Sequence, residues 1–440
     1  MTVCPVCNIW APANSLTTEC TICGAVMDKA ERYQCYVPYG FITTLEPKSA
    51  KEDFDQILTT ASRVSIAEAY TFSAMPEPDV NVAIQLQPQT CLHRLNRGIY
   101  TDKTWRGFSA TQGSLSVPFR KQGSYQPLWA NRIWMDSQII EADLLVKKRF
   151  TDRGETRNTF YLAAPKVTDL LALMVAQTPP GLRLQYSTLT PAFRAAALSA
   201  SFIIVNYASK ELLDIDPEEI EILEPRVQML KNGKSVPVLQ MADRLVNGSG
   251  LCERLQQKDA SGSLIILEVM KKILNNKTAY PLAEFLQSDH RERCFQGCYH
   301  CLHRYGNKPY HGLLDWRLGL DVIQLFLDQT YNAGLNGDFT SPGVADWPEN
   351  ALRLAKEAAS LYSDSDVKVM GNIPVIRTGD GRWAAVLHPF WDPDAAFAAN
   401  PELEAFSYEV DIDATNTFAL SRRMGNEMAK LRTQASSSQE

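Results

Sequence analysis

Two groups of cysteines carry the clearest chemical signal in this sequence. The first group reads C-x2-C, twelve residues, C-x2-C, and consists of Cys4, Cys7, Cys20 and Cys23. Each pair lets two sulfurs reach one ion from a tight turn, and two such turns complete a tetrahedron. Because four thiolates leave no open coordination position, the spacing predicts a structural zinc ribbon. Tetrahedral sulfur ligation also suits a rubredoxin-like iron site.

The second group reads C-x3-C-x2-C and consists of Cys294, Cys298 and Cys301. Three thiolates fit one zinc ion or three corners of an iron–sulfur cluster, so a fourth ligand has to come from elsewhere. The candidates are Cys252, His300, His303 and His311. We favour Cys252, because Gly248 and Gly250 allow an unusual backbone just ahead of a helical segment. The other interpretation of Cys252 is a small buried apolar residue.

The elements that must position these cysteines indicate an α+β multi-domain protein. Apolar residues at helical intervals predict helices in "TPAFRAAALSASFIIVNYASKELL", "YPLAEFLQSDH" and "LLDWRLGLDVIQLFLDQTYNAG", whereas "EEIEILEPRV" and "VPVLQMAD" predict strands. The predicted domains are an N-terminal zinc ribbon (1–32), a β-rich middle domain (33–165), a mixed α/β zinc-binding domain (166–334) and a small α/β C-terminal domain (335–440). The final "QASSSQE" is expected to be disordered.

Composition limits the classes of function. The 440 residues are 45% hydrophobic and 21% charged, which allows large cores, and no apolar run approaches the roughly 18 residues of a membrane span. The N-terminus lacks a signal peptide, so we expect a cytoplasmic protein, in which ten cysteines bind metal more readily than they form disulfides. The net charge of −6 excludes a bulk polyanion binder, so any contact with DNA must use local basic patches.

Two basic patches are candidates for such contacts. Cations that hold phosphates and rings that stack on bases can bind single strands without reading their sequence. The patch around the second cysteine group contains Arg291, Arg293, Arg304 and Lys308, interleaved with Phe295, Tyr299, Tyr305, Tyr310 and Trp316. The other patch contains Lys147, Lys148 and Arg149. The competing interpretation is that the aromatic residues pack around the metal and that Trp316 belongs to a helix core.

The run "CYHCLHRYGNKPYHGLLDWRLGLD", with "NGSGLC" and "VTDLLAL" upstream, resembles the zinc-binding domain family named after the mitomycin repair helicase MrfA. Members lie at the C-termini of superfamily 2 DEAD/DEAH-box helicases or act as separate partners of such helicases, including a variety found in DISARM-like antiphage islands. The resemblance covers roughly residues 167–328. It implies a partner helicase, contact with DNA, and a zinc ion held by Cys252, Cys294, Cys298 and Cys301. The chain departs from the family's other arrangement, in which all four cysteines come from one local cluster.

The sequence predicts that this chain is not itself an enzyme. A helicase motor needs a phosphate loop, and the nearest mimic, "NGKS" at 232–235, lacks the glycine that the motif requires five residues before Gly233. His388 in "HPFWDPD" is better interpreted as a strand-end residue than as a catalytic base. We therefore expect a non-catalytic accessory protein with two zinc ions that partners a superfamily 2 helicase. The alternatives are a separated C-terminal part of a repair helicase and a purely structural, protein-binding zinc module.

Overall fold

The structure is a computed structural model that describes residues 75–96, 158–184, 191–229, 235–379 and 382–433, with shorter segments between residues 2 and 142. The chain divides into two compact units. The first comprises Met1–Ala69, Gln89–Thr168 and Val246–Gly248, and the second comprises Tyr70–Pro88, Asp169–Leu245 and Ser249–Glu440. Within the described residues the protein is mixed α/β. The four domains expected from the sequence stay a prediction.

The described elements of the first unit are β-strands. The strands up to residue 175 are β1 (Thr2–Val3), β2 (Trp10–Ala11), β3 (Glu31–Arg32), β4 (Cys35–Tyr36), β5 (Ser62–Ile66), β6 (Val82–Asn96), β7 (Tyr100–Thr101), β8 (Thr104–Trp105), β9 (Phe108–Ala110), β10 (Asn131–Met135), β11 (Gln138–Ala142) and β12 (Asn158–Val175). Strands β2, β1 and β3 form a small antiparallel sheet, and β10 pairs with β11. In the same unit β12 pairs with β4 in parallel and with β9 antiparallel.

The second unit contains β13 (Ile220–Met229) and β14 (Ser235–Asp243). These strands hydrogen-bond in one sheet with β12 and β6, in the order β13-β14-β12-β6. Strand β12 pairs antiparallel with β14, with Leu171 opposite Met241 and Leu173 opposite Leu239. Because alternate residues of a strand share one face, these four side chains point together into the main hydrophobic core.

A long buried helix, α1 (Pro191–Ala208), covers this sheet and continues into a π-helical turn at Ser209–Leu213. By length and composition Pro191–Leu213 could cross a membrane, contrary to the prediction from apolar runs in the sequence. In the structure, 89% of its most apolar window is buried inside the protein. Its apolar surface is therefore used in packing. The further α-helices of the described residues are α2 (Leu251–Gln256), α3 (Ile265–Asn275), α4 (Leu282–Phe285), α5 (Ser288–Arg293), α6 (Trp316–Leu327), α7 (Trp347–Ala359), α8 (Pro393–Ala399), α9 (Pro401–Ser407) and α10 (Thr417–Thr433).

Helices α1 and α6 approach each other closely because both carry small residues at the crossing. A Cβ atom at Gly319 of α6 would lie 2.8 Å from Ile203 Cδ1 and 2.9 Å from Ser199 Cβ. The Ser199 hydroxyl also accepts the backbone N–H of Asp315 at 2.8 Å, just ahead of α6. The crossing therefore fixes where α6 begins, next to the second cysteine group.

The C-terminal part of the second unit contains a separate sheet in the order β15-β16-β17-β18. Its strands are β15 (Val367–Met370), β16 (Ile373–Gly379), β17 (Arg382–Leu387) and β18 (Ile412–Asn416). Strands β15 to β17 are antiparallel, whereas β18 lies parallel to β17 after a crossover through α8 and α9. Helices α7 and α10 pack against this sheet.

Candidate metal centre

The second cysteine group lies in a compact segment, residues 290–311, that we call the knuckle. Helix α5 contains His290, and the backbone N–H of Cys294 donates to the His290 carbonyl at 2.7 Å, so the two side chains are one helical turn apart. The Cys298 carbonyl then accepts the N–H groups of Cys301, Leu302 and His303 in a tight turn. This turn brings Cys298 and Cys301 to the same point as the end of α5.

Four ligand atoms meet there, from His290, Cys294, Cys298 and Cys301, and all of them lie within 4.8 Å of one another. Cys301 Sγ is 3.7 Å from the sulfurs of both Cys294 and Cys298, and Cys298 Sγ is 3.6 Å from His290 Nε2. With zinc–sulfur bonds of about 2.3 Å and a zinc–nitrogen bond of about 2.0 Å, a tetrahedron spaces two sulfurs by about 3.8 Å and sulfur from nitrogen by about 3.5 Å. These three distances therefore match a tetrahedral zinc ion, and the other three lie within 4.8 Å.

The imidazole of His290 is held in the orientation of a ligand. Its Nδ1 is 3.1 Å from the carbonyl oxygen of Phe285, so Nδ1 carries the proton and donates it there. This hydrogen bond leaves the lone pair of Nε2 directed at the three sulfurs. The ring packs against both Phe285 and Trp316, with centroids at 5.9 and 5.7 Å, so it is fixed before any ion binds.

The chemistry of the thiols also fits a cation. The hydrogen bond with Cys301, together with burial, raises the pKa of Cys294, and burial raises the pKa of Cys298. Ionised together in this pocket, the thiolates would repel one another unless a cation lay among them. The sulfurs are too far apart for a disulfide, which needs about 2.0 Å. One histidine with three cysteines is a ligand set of structural zinc sites.

Hydrogen bonds from α6 hold the end of the metal-binding turn. The carbonyl oxygen of Cys294 accepts from Trp316 Nε1 at 3.2 Å and from Arg317 Nη1 at 3.0 Å. Arg317 is itself buried and donates through Nε to Asp346 Oδ1 at 2.8 Å. Trp316 is therefore a core residue, and Arg317 ties the metal-binding turn to the start of α7.

Most of the residues that carry the family resemblance after Cys301 are scaffolding. The side chain of Asn307 is buried, accepts the N–H of Arg304 at 2.8 Å and donates to the Leu302 carbonyl at 2.8 Å. His311 Nε2 lies 2.9 Å from both Asn307 Oδ1 and the Arg304 carbonyl. Asp315 caps α6 by accepting the N–H of Leu318. These residues keep the loop after Cys301 closed.

Cys252 does not join this group, which corrects our expectation for the fourth ligand. Its side chain is fully buried in the main core, and its Sγ lies 3.5 Å from the Met241 carbonyl. Burial, and secondarily the charge of Asp243, raises the pKa of the Cys252 thiol well above its usual range. Cys252 is therefore the small buried residue of the alternative interpretation, and His290 stands in the position assigned to it.

The N-terminal cysteines are described only in part. Cys4 and Cys20 are both buried and belong to one small cluster with Ala25 and Met27. The N–H of Cys20 donates to the Ala25 carbonyl at 2.7 Å, which closes a turn after it. Cys7 and Cys23 lie outside the described residues, as do Lys147, Lys148 and Arg149. The zinc ribbon and the second basic patch stay predictions.

The basic residues of the knuckle are less free than their sequence suggests. Arg291 Nε is 3.3 Å from Asp346 Oδ2, and Arg293 Nη2 is 2.9 Å from Asp289 Oδ1 on the exposed surface. Arg304 and Lys308 are half-buried. The aromatic residues divide clearly: Trp316 is buried, whereas Tyr299 and Tyr305 are 70% and 71% exposed.

His290 is the functional residue that sequence reasoning missed. The signal was present as H-x3-C directly before the cysteine trio, in "HRERC". On a helix this spacing places histidine and cysteine on one face, so it is a ligand spacing. The three histidines predicted as candidate ligands, His300, His303 and His311, all follow the first cysteine of the group.

Comparisons with known proteins add little to this geometry. No protein-family model and no curated protein matches the chain. Among solved structures, the chain is similar to the crystal structure of the DUF1998 helicase MrfA bound to DNA, with a TM-score of 0.29 and 12% sequence identity. The match covers 62% of this chain and 25% of that chain, so the chain spans about a quarter of the helicase it matches. At this TM-score the likeness establishes neither a shared fold nor a shared activity.

Proposed function

We propose that this chain is a non-catalytic, zinc-stabilised accessory protein that works beside a superfamily 2 helicase and contacts single-stranded DNA through the knuckle, in bacterial antiphage defence. The observation that carries the DNA contact is the pair of exposed tyrosines on the metal-binding segment. The sequence resemblance supports the partner helicase and the antiphage setting. The lack of a phosphate loop in the sequence supports a non-catalytic role.

Tyr299 is held in place although most of its surface is open. Its ring meets His303 and His311 edge-on, with centroid distances of 5.6 and 5.4 Å. These two imidazoles stack on each other at 4.0 Å. These contacts orient the exposed face of Tyr299 before any nucleic acid binds, which lowers the entropy cost of stacking on a base. Stacking on such a ring contributes about 1–3 kcal/mol per base.

The charges near these rings favour single strands over duplex. Arg304 adjoins Tyr305, whereas Arg291 and Arg293 already face carboxylates and Lys308 also interacts within the protein. Few cations are left for phosphates, so stacking has to supply a large share of the affinity. Duplex DNA hides the faces of its bases and offers mainly phosphates. We therefore expect a shallow salt dependence and a preference for unpaired bases.

Fluorescence anisotropy with labelled single-stranded and duplex oligonucleotides of equal length tests this proposal. Replacing Tyr299 and Tyr305 by alanine should weaken single-strand binding about tenfold each, because each substitution removes one stacking partner. Tyr408→Ala is the matched control, since Tyr408 is 81% exposed but lies outside the knuckle. Unchanged affinity in the double variant, or no binding below about 100 µM at low salt with zinc bound, would contradict the proposal.

A second candidate is a protein-binding module that does not touch DNA. The observation that favours it is the pairing of Arg291 and Arg293 with Asp346 and Asp289, which reduces the positive charge of the knuckle. Exposed tyrosines are also common anchors in protein interfaces. In that case the Tyr299 and Tyr305 variants would lose a partner in pull-downs with the adjacent gene products and would leave DNA affinity unchanged.

We also propose that the chain binds two zinc ions, the second one in the N-terminal ribbon. The supporting observation is that Cys4 and Cys20, which belong to different C-x2-C pairs, are buried in one cluster. A ribbon with four sulfur ligands would bury one cysteine from each C-x2-C pair in the same small cluster in this way. Elemental analysis of the full chain provides the count.

A further inference from the structure

A cavity of about 50 Å³ lies beside the knuckle, within the second unit. It is bounded by the starts of α6 and α10, by one side of α7 and by the end of β17. The lining residues used below are Phe295, Arg317, Trp347, Arg353, Leu354 and His388. A single water needs roughly 10–15 Å³ measured in this way, so the cavity has room for several waters or for one small ligand.

Two hydrogen-bond donors of this cavity are buried and unmatched. Among the described residues, none accepts a hydrogen bond from Trp347 Nε1 or from Arg353 Nε. Trp347 is only 5% exposed, so bulk water does not serve its indole N–H. Both groups can only donate. Leaving a buried donor without an acceptor destabilises the protein, and an acceptor in the cavity would remove that cost.

Arg317 and His388, two further polar groups around the cavity, already have partners. Arg317 donates to Asp346 and to the carbonyl oxygens of Cys294 and Arg291. His388 Nδ1 accepts the N–H of Phe390 at 3.3 Å, and its Nε2 faces Asp321 Oδ2 at 3.3 Å. The imidazole therefore has no nitrogen left for a ligand. Among the described lining residues, the buried polar atoms left without a partner are both donors, Trp347 Nε1 and Arg353 Nε.

The charge of the unmatched group is positive. Arg353 places its guanidinium carbon 3.7 Å from the centre of the Phe295 ring, and Nη1 is 2.6 Å from Glu357 Oε1. The side chain of Glu357 is 49% exposed, so water screens this ion pair. Arg353 Nε itself is buried, and the apolar side chains of Phe295 and Leu354 line the cavity with it, so screening by water is weaker there.

We propose that this cavity binds a small oxyanion, of the phosphate or carboxylate type, through Trp347 Nε1 and Arg353 Nε. An oxyanion supplies two acceptors and a negative charge, which match the two unmatched donors and the guanidinium. The carboxylate of the lining, Asp315, already accepts from the Leu318 N–H and from Arg422 Nη2, so it does not serve these donors. A neutral ligand would satisfy the donors but not the guanidinium. The site is independent of the exposed tyrosines, so it goes beyond the proposed function.

Isothermal titration of the full, zinc-loaded chain with inorganic phosphate and, separately, with acetate tests the site. We expect saturable binding of at least one of them, and the better ligand identifies the oxyanion class. Trp347→Phe keeps the aromatic ring but removes the donor, so it should weaken that binding about tenfold. Arg353→Met should weaken it at least as much, and it serves if the tryptophan variant folds poorly. Trp383→Phe, in β17 and outside the cavity lining, is the matched control.

Two results would overturn the site. One is no saturable binding of either anion up to about 10 mM, which leaves only water in the cavity; the other is binding by Trp347→Phe and Arg353→Met as tight as by the wild-type chain. The variant lacking Tyr299 and Tyr305 should bind the anion like the wild-type chain. Failure of the oxyanion site and failure of the DNA-binding proposal are therefore distinguishable.

Discussion

Asp243 explains the glycine-rich turn before Cys252. Its carboxylate accepts the backbone N–H groups of Ser249, Leu251 and Cys252 at 2.7, 3.2 and 2.9 Å. The donors lie at the start of α2, where N–H groups have no partner within the helix. Gly250 has φ +76°, a backbone conformation that residues with a Cβ rarely adopt, and this lets the chain wrap around the carboxylate. The turn binds a carboxylate of the protein itself, and Cys252 is buried behind it.

The Cys252 thiol gives a prediction for alkaline pH. Burial and the nearby Asp243 raise its pKa well above that of the unfolded chain, about 8.5. The stability that depends on the neutral thiol is therefore fully present below pH 8.5 and is lost as the pH rises towards the folded-state pKa. We expect the free energy of unfolding to fall by up to about 1.4 kcal/mol per pH unit above 8.5.

Chemical denaturation from pH 7.5 to 9.7 measures this slope, and Cys252→Ala is the comparison. The alanine variant should show a smaller slope over that range, because it has no thiol to ionise. Equal slopes in both proteins would mean that the pKa of the Cys252 thiol does not change on folding.

At the residue scale, the sequence pointed to three of the four ligand positions. C-x3-C-x2-C is a local pattern, so its sulfurs converge through short-range backbone geometry. Whether Cys252 is a ligand depends on contacts between segments that are distant in the sequence. A glycine-rich turn has the same sequence pattern whether it places a metal ligand or binds a carboxylate. The H-x3-C spacing of His290 was readable, because it too is local.

The crossing of α1 and α6 is the central packing element of the second unit. The face that α1 presents to Gly319 includes Ser199, whose side chain is small enough for close approach. Ser199 Oγ donates to the Ala195 carbonyl at 2.7 Å and accepts the N–H of Asp315 at 2.8 Å. This contact sets the start of α6, where Trp316 and Arg317 bind the carbonyl of Cys294. Helix packing and the metal site are therefore connected.

Gly319→Ala should destabilise the protein by about 1–3 kcal/mol, because the new methyl group would overlap Ser199 and Ile203 at under 3 Å. Gly425→Ala is the matched control in α10, where no atom lies within 4 Å of the added Cβ. That change should be neutral or stabilise by up to about 1 kcal/mol through helix propensity. Urea denaturation measures the free energy of unfolding of both variants. An equal change in the two would mean that α1 and α6 can move apart without a cost in stability.

Element types were largely readable from apolar periodicity. "EEIEILEPRV" and "VPVLQMAD" form β13 and β14, and the two long apolar segments form α1 and α6. The segment "YPLAEFLQSDH" departs from its predicted single helix and instead contains α4 and the start of α5. The break between the two helices lets the carbonyl oxygen of Phe285 accept the hydrogen bond from His290 Nδ1. Sequence periodicity cannot show a break that tertiary hydrogen bonds stabilise.

At the scale of the whole molecule, the metal centre is part of the second unit and not an isolated finger. Arg422 in α10 donates to the carbonyl oxygens of Gly312, Leu313 and Leu314, just after the knuckle. Its Nη2 also lies 3.4 Å from Asp315 Oδ2 at the cap of α6. The C-terminal helix thus holds the segment that links the knuckle to α6. We expect the metal to support this packed body and to present Tyr299 and Tyr305 from it.

The zinc content of the full chain, measured by elemental analysis of the purified protein, tests the ligand set most directly. We predict that His290→Ala contains one zinc ion fewer than the wild-type chain, since losing one of four ligands should lower the affinity about 100-fold. Cys252→Ser should retain the wild-type zinc content, and His290→Cys should restore it. Loss of zinc in Cys252→Ser with full retention in His290→Ala would contradict the four-ligand centre described above.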